Sequence, residues 1–393
     1  MNKTVSVDKD NLTATVQPGV SLNQLCGHLK PLVYQPPVIL EYGNFLFGAI
    51  SGTHANDTSV SVNAQISSFV VGVKLVTGHE ELLEISEKKN ARYVPAIRSH
   101  FGLFGVLCEV TVRIWPTRSL LFTYETQNLY HFLGDFDNQM TQVCASSDQI
   151  FALIFQSVDT ILLQHREFQD VKRCPPHPLT NSLESKAISL YTSLVLPAAQ
   201  ALSSLHLSLE HTEALSNFLL KGPLDALRGS EFVIDPNDRG ILWDANDPGF
   251  EFNDWAFPEK NWPGMVRAYR QPLERFLVEH DFIITLPTIV YCMNRDESSL
   301  LSRSKNSNMM ILDPEYHDPR DPKWKQFRKA FGELAIHHGG IPHLNKTVDN
   351  AVVWYAKSCD QDALEEFLGL RKQFDPNDMF LNDFFKQVFA GRL

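Results

Sequence analysis

Residues 69–76 read Phe-Val-Val-Gly-Val-Lys-Leu-Val. Such a β-branched, alternating run belongs in a strand with one face turned to a core. Thr77-Gly78-His79 supplies a turn, and residues 81–85 return alongside it, so the segment predicts an antiparallel hairpin. A further strand is expected over 109–114, ended by Pro116. The first 30 residues repeat the theme, with β-prone runs at 4–7 and 13–17 separated by Asp8-Lys9-Asp10-Asn11. Ser21 then stands where it can cap a helix that carries Leu22, Leu25 and Leu29 on one side. A chain that starts this way is committed to antiparallel sheet, and helices added later make it α+β.

Those helices are predicted at 321–338, where Trp324, Phe327, Phe331 and Leu334 recur at helical spacing, and at 360–371. Cys174-Pro175-Pro176, Asp235-Pro236-Asn237 and Asp313-Pro314 read as loop punctuation. The last stretch is a turn at Asp375-Pro376-Asn377 followed by an aromatic helix. Residues 1–118 are expected to form one domain and 119–371 a second, with 372–393 packing back on the first through Phe374, Phe380 and Phe384.

A net charge of -11 over 393 residues repels phosphate backbones, so nucleic acid is excluded as a partner. Six scattered cysteines form no C-x-x-C pair, which leaves a zinc site unsupported and favours a reducing compartment. His337-His338 lacks a third ligand at helical spacing, so no metal is expected there either. The N-terminus shows no apolar signal core, and a cytoplasmic location is the expectation. Residues 187–209 carry no charge, but serines, His206 and Pro197 make two soluble helices the expectation, with a peripheral membrane contact as the alternative. No Gly-x-Ser-x-Gly elbow supports a serine hydrolase.

Three blocks carry a resemblance. They are TVQPGVSLNQL with YGNFLFGAISGTH (14–54), ISSFVVGVKLVTGHEELLEIS with HFGLFGVLCEVTVRIWP (66–116), and HHGGIPHLNK with FDPNDMFLN (337–382). In this order they resemble the vanillyl-alcohol-oxidase superfamily, nearest to the aldonolactone and alditol oxidases. The resemblance implies a PCMH-type FAD-binding domain, N-terminally incomplete here, and an α+β substrate cap built on an antiparallel sheet. It places Ser51, Gly52, Thr53 and His54 against the flavin ring, and Gly102, Gly105 and Val106 at the adenine half of FAD. His343 and Lys346 fall on an R-P-H-W-x-K-like element, with Lys346 at the flavin N1–C2=O edge and His343 orienting a small-molecule substrate. A lysine at a cofactor edge is expected to be partly solvated, so its loss should cost rate and little stability.

The departures from the family are as specific as the matches. The chain contains no GGGHS-like run, so FAD, where bound, is expected to be held non-covalently and weakly. The family's P-x-E-x-R strand aligns with Leu286-Pro287 through Tyr291, which puts Ile289 at the carboxylate and Tyr291 at the arginine. Ile341 replaces the arginine of GGRPH, and Ala55 the glycine after GTH. Tyr291 becomes the candidate acid/base group. The expected function is FAD-dependent oxidation of a hydroxyl or lactone carbon, with electrons passed to O2 or another acceptor. The alternative is a non-catalytic or truncated relative that keeps the fold for binding or assembly.

Overall fold

The computed structural model describes residues 3–176, 228–240, 251–284 and 286–393. Residues 187–209, weighed above as a membrane contact, lie outside the described residues. The N-terminal hairpin pairs Thr4–Asp8 with Thr13–Val16, and the chain then enters the helix Leu22–Leu29. Ser21 caps that helix in a full capping box: its hydroxyl takes the Gln24 amide at 3.2 Å while the Gln24 side chain takes the Ser21 amide at 2.9 Å. Leu22, Leu25 and Leu29 are all buried, as their spacing requires.

The predicted hairpin is present as Val70–Val76 against Leu82–Ser86. It joins a five-stranded antiparallel sheet in the order Thr4–Asp8, Thr13–Val16, Val106–Arg113, Val70–Val76, Leu82–Ser86. The core beneath it contains Val16, Leu25, Val73, Leu75, Phe104 and Val110. Phe374 enters this core edge-on to Phe104 and Tyr93, at ring separations of 5.2 and 5.0 Å. Phe384 packs at its border, while Phe380 is half-buried outside it. The deeper anchors are Phe385 and Phe389, stacked at 5.7 Å, and each contributes about 1.5–3 kcal/mol by burial. The same core also takes in Leu344, Ala351, Tyr355, Leu364 and Phe367. Leu300 and Leu301 belong to it as well, so segments of 119–371 enter this core before residue 372.

The middle of the chain builds an eight-stranded antiparallel sheet. Its order is Glu231–Ile234, Ser119–Asn128, Thr160–Gln169, Gln149–Phe155, Thr288–Met293, Met309–Leu312, Trp255–Pro258 and Ile341–Pro342. The helices Trp262–His280 and Pro322–His337 pack together over it. Their shared core holds Trp255, Trp262, Tyr269, Trp324, Phe327 and Phe331, all fully buried. Asp321 caps the second helix by accepting from the Lys323 amide, with Pro322 in its first turn, which is why that helix starts where the sequence predicts. Residues 56–60 cross between the two sheets. The Ser59 amide bonds the Cys292 carbonyl at 2.8 Å and the Val60 amide bonds that of Asp148 at 3.0 Å. This crossing sets the position of the site.

Candidate active site

Where residues 40–57 of the first core meet the eight-stranded sheet, a cavity of about 350 Å³ opens. Thr53, His54, Tyr291, His343 and Lys346 all line it, and so do Ile289 and Ala55, two of the positions that depart from the family pattern. Gly102, Gly105 and Val106 are not on its wall, and neither are Ser51 and Gly52.

The loop carrying His343 and Lys346 is built around one imidazole. Ile341–Pro342 pairs with Trp255 and Ala256, and the His343 amide then bonds the Asp254 carbonyl at 3.0 Å. His343 Nδ1 accepts from the amides of Asn345 and Lys346 at 3.0 and 3.3 Å, so Nε2 carries the proton and donates to the His54 carbonyl at 3.0 Å. Both ring nitrogens are thus committed to main chain. Burial, reinforced by the nearby Arg303, pushes the imidazole down to about 3. His343 is a neutral hinge pin for the turn, presenting a ring face rather than a free nitrogen to the cavity.

That turn throws the Lys346 ammonium back onto two buried carboxylates, Asp313 at 2.7 Å and Asp254 at 3.1 Å. It also lies 4.4 Å from the centre of the Phe252 ring. Burial works to lower the Lys346 pKa, but Asp313 and Asp254 more than offset it, so the group stays charged. Asp254 is shared with Arg303 at 2.5 Å; burial would raise its carboxyl, yet Arg303 and Lys346 hold it below the usual range. Asp313 has Lys346 and the Asn253 amide as partners, and burial pushes it up to about 7. The lysine is partly solvated as expected, with 27% of its side chain exposed, but the expectation that its loss spares stability is corrected: Lys346 is the counter-ion of a buried acid pair.

Tyr291 stands on the strand Thr288–Met293, edge-on to Phe151 at 5.4 Å and 5.8 Å from the Lys346 ammonium. Burial, then Glu41 and Asp313, push its phenol well above 10, so it remains a neutral hydroxyl. Its hydroxyl has no hydrogen-bond partner among the described residues. A phenol held this way suits hydrogen bonding to a ligand better than proton abstraction.

The glycines have local explanations. A side chain at Gly52 would run into the His100 ring, and one at Gly105 into the Val76 carbonyl oxygen. Gly102 adopts φ 77° after Phe101 at φ 46°, where the Phe101 amide bonds the Gly52 carbonyl at 2.9 Å. Val106 is half-exposed. Ser51 Oγ and His100 Nε2 are buried without a partner among the described residues. The small residues Ala49, Thr53 and Ala55 and the fixed Lys346 cation, all on the cavity wall, suit a flavin ring.

Sequence reasoning missed the acids and arginines. Asp57 is buried between Arg166, at 3.1 Å, and Arg239, and Glu41 on the cavity wall contacts the same two guanidiniums at 3.6 and 3.2 Å. Burial would raise the Asp57 carboxyl, but Arg239 and Arg166 hold it below the ordinary value. An acid–arginine cluster therefore does border the site, although not on the strand where Ile289 and Tyr291 occupy the expected positions. Arg166 comes from the strand Thr160–Gln169 and Arg239 from the turn after Pro236–Asp238, so no short motif could have announced them. Asp313 was visible only as a residue before proline.

Three buried histidines make a pH prediction. Burial lowers His54 well below 6.5, His100 to about 4 and His343 to about 3. The unfolded chain takes up these protons as pH falls through 6.5, whereas the folded chain does not, so acid favours unfolding. Asp313 and Glu315, both raised by burial, act in the opposite sense and on their own nearly balance these three, but burial also lowers His165, His317 and His338, which tips the sum toward acid unfolding. The urea midpoint is expected to fall between pH 7.5 and pH 5; a constant or rising midpoint would contradict the assignment.

Two antiparallel sheets are thus joined by the crossing segment 56–60, with this cavity between them. A solvent-stable cholesterol oxidase superposes with a TM-score of 0.70 over 98% of this chain and 84% of its own, at 13% identity, which speaks for the fold alone. Residues 110–388 match the D-arabinono-1,4-lactone oxidase family, and the chain belongs to that family. L-gulonolactone oxidase of Bos taurus is 23% identical over 99% of this chain and 84% of its own length. D-arabinono-1,4-lactone oxidase of Yarrowia lipolytica is 21% identical over 71% of this chain and 52% of its own. No metal-binding cluster of three or more His, Cys, Asp or Glu occurs among the described residues, and no described helix is long and apolar enough to cross a membrane.

Proposed function

We propose that this protein is an FAD-dependent oxidoreductase that oxidises a hydroxyl-bearing carbon of a sugar lactone or a related polyol, and passes the electrons to O2 or another acceptor. The observation that carries the reading is the cavity in which Thr53, Tyr291 and Lys346 converge. Bound against residues 49–55, FAD supplies the electron sink for the reaction. In this reading FAD is held without a covalent bond. Lys346 keeps a positive charge where reduction places negative charge. The Tyr291 hydroxyl is free to hold a substrate oxygen, and His343 fixes the turn that aims Lys346. Ser51, Gly52 and His54 shape the turn behind the ring, and Gly102, Gly105 and Val106 lie on the path toward the adenine half.

The test is anaerobic mixing of the flavin-loaded protein with D-arabinono-1,4-lactone, L-gulono-1,4-lactone and a set of alditols. Loss of the yellow flavin band with at least one of them is expected, and acid precipitation should release the flavin into solution. A flavin that stays oxidised with every compound would overturn the reading.

A further inference from the structure

Glu41 is the acid on the cavity wall whose two oxygens are treated differently. Oε1 takes both guanidinium contacts, from Arg239 at 3.2 Å and Arg166 at 3.6 Å. Oε2 has no partner among the described residues, and the side chain, 27% exposed, borders the cavity. Asp57 is spent differently, with each oxygen facing a guanidinium. Glu41 is thus anchored on one side and left open on the other, as a preorganised acceptor must be.

The surrounding cations give the second observation. Arg166 and Arg239 serve Asp57 and Glu41, Arg303 serves Asp254, and Lys346 serves Asp254 and Asp313. Among the described residues, each positive group at or around this cavity already has a carboxylate partner. An entering anion would have to displace one of these buried pairs or sit beside Glu41 unpaired, and both are costly. A neutral hydroxyl can instead donate to Oε2 with nothing displaced.

We propose that Glu41 is a specificity-determining residue, its Oε2 accepting a hydrogen bond from a substrate hydroxyl, so that the cavity takes the neutral lactone and rejects its open-chain aldonate. This rests on the lactone-oxidising reading above, and it gives that chemistry a direction. Oxidation acts on the closed ring, so the reaction that supplies the substrate must deliver the lactone rather than the free acid.

Calorimetric titration with D-arabinono-1,4-lactone and with D-arabinonate tests it on the full-length, flavin-loaded protein. The parent is expected to bind the lactone and show no measurable heat with the aldonate. In Glu41→Gln the amide oxygen stays with the arginines and the amide nitrogen turns to the cavity, replacing an acceptor by a donor. Lactone affinity should fall between about tenfold and hundredfold, the usual cost of one hydrogen bond to a charged acceptor. Aldonate binding should appear. Equal lactone affinity in parent and variant, aldonate binding by the parent, or binding of neither compound would each overturn the proposal. The parent's own choice between the two ligands needs no variant, so a misfolded Glu41→Gln protein does not shield the idea. Glu41-dependent binding without flavin bleaching would sink the oxidase reading alone, and bleaching with unchanged affinity in Glu41→Gln would sink this inference alone.

Discussion

Lys346→Met is expected to lower the rate of flavin reduction by lactone about 100- to 1000-fold, the usual cost of removing one preorganised group that stabilises developing charge. The ammonium acts on a charge that exists only as electrons arrive, so its loss should appear in the reduction rate and hardly in substrate affinity. The structure adds a second consequence. Among the described residues, Asp313 loses its only side-chain counter-ion and Asp254 keeps Arg303 alone. Burial already pushes Asp313 to about 7, so in the variant it takes up a proton rather than remain a bare anion. That uptake caps the loss of stability at about 1–3 kcal/mol, the range for a buried polar group left short of a partner. Stopped-flow reduction and urea unfolding of parent, Lys346→Met and Lys346→Arg separate the two effects. Lys346→Arg should recover most of the stability and part of the rate. Equal reduction rates in parent and Lys346→Met would remove Lys346 from the mechanism.

Asp57→Asn should be the most destabilising single substitution at this site. It removes one charge without changing shape, and leaves Arg166 and Arg239, both almost wholly buried, to share Glu41. Breaking a buried ion pair on one side costs about 3–5 kcal/mol, because the uncompensated partner remains in a medium that solvates it poorly. That is a large part of the net stability of an ordinary domain. Low soluble yield, or a urea midpoint far below the parent's, is the expected result, followed by the fluorescence of the six tryptophans. An unchanged midpoint would mean that water reaches the cluster and that its charges are screened.

The sequence disclosed elements whose signals are local. The alternation at 69–76, the Ser21–Gln24 box and the spacing of Trp324, Phe327 and Phe331 each act within one hairpin or one helix. The structure reproduces them as Val70–Val76, Leu22–Leu29 and Pro322–His337. The resemblance brought Thr53, His54, Tyr291, His343 and Lys346 to attention, and they do share one cavity. It could not reveal what holds them. Asp254 and Asp313 look like loop residues until the sheet places both beside Lys346, and Arg166 meets Asp57 across 109 positions of chain. Charge pairing at such separations leaves no periodic trace. Gly52 has a local reason of the same hidden kind: its missing side chain makes room for His100, a contact no spacing rule foresees.

The way the first core is filled has a consequence for how the protein is made. Val16, Leu25 and Phe104 emerge early in synthesis, yet the core they belong to also needs Phe367, Phe374, Phe385 and Phe389. The eight-stranded sheet draws its strands from 119–342, all of which precede those phenylalanines. On a translating ribosome the second sheet can therefore close first, while the earlier strands wait with an apolar face uncovered. Residues 56–60, already bonded to Asp148 and Cys292, would tether the waiting half to the finished one. The order of folding is then the reverse of the order of synthesis, and a pause in translation after about residue 342 is the moment of greatest exposure to aggregation.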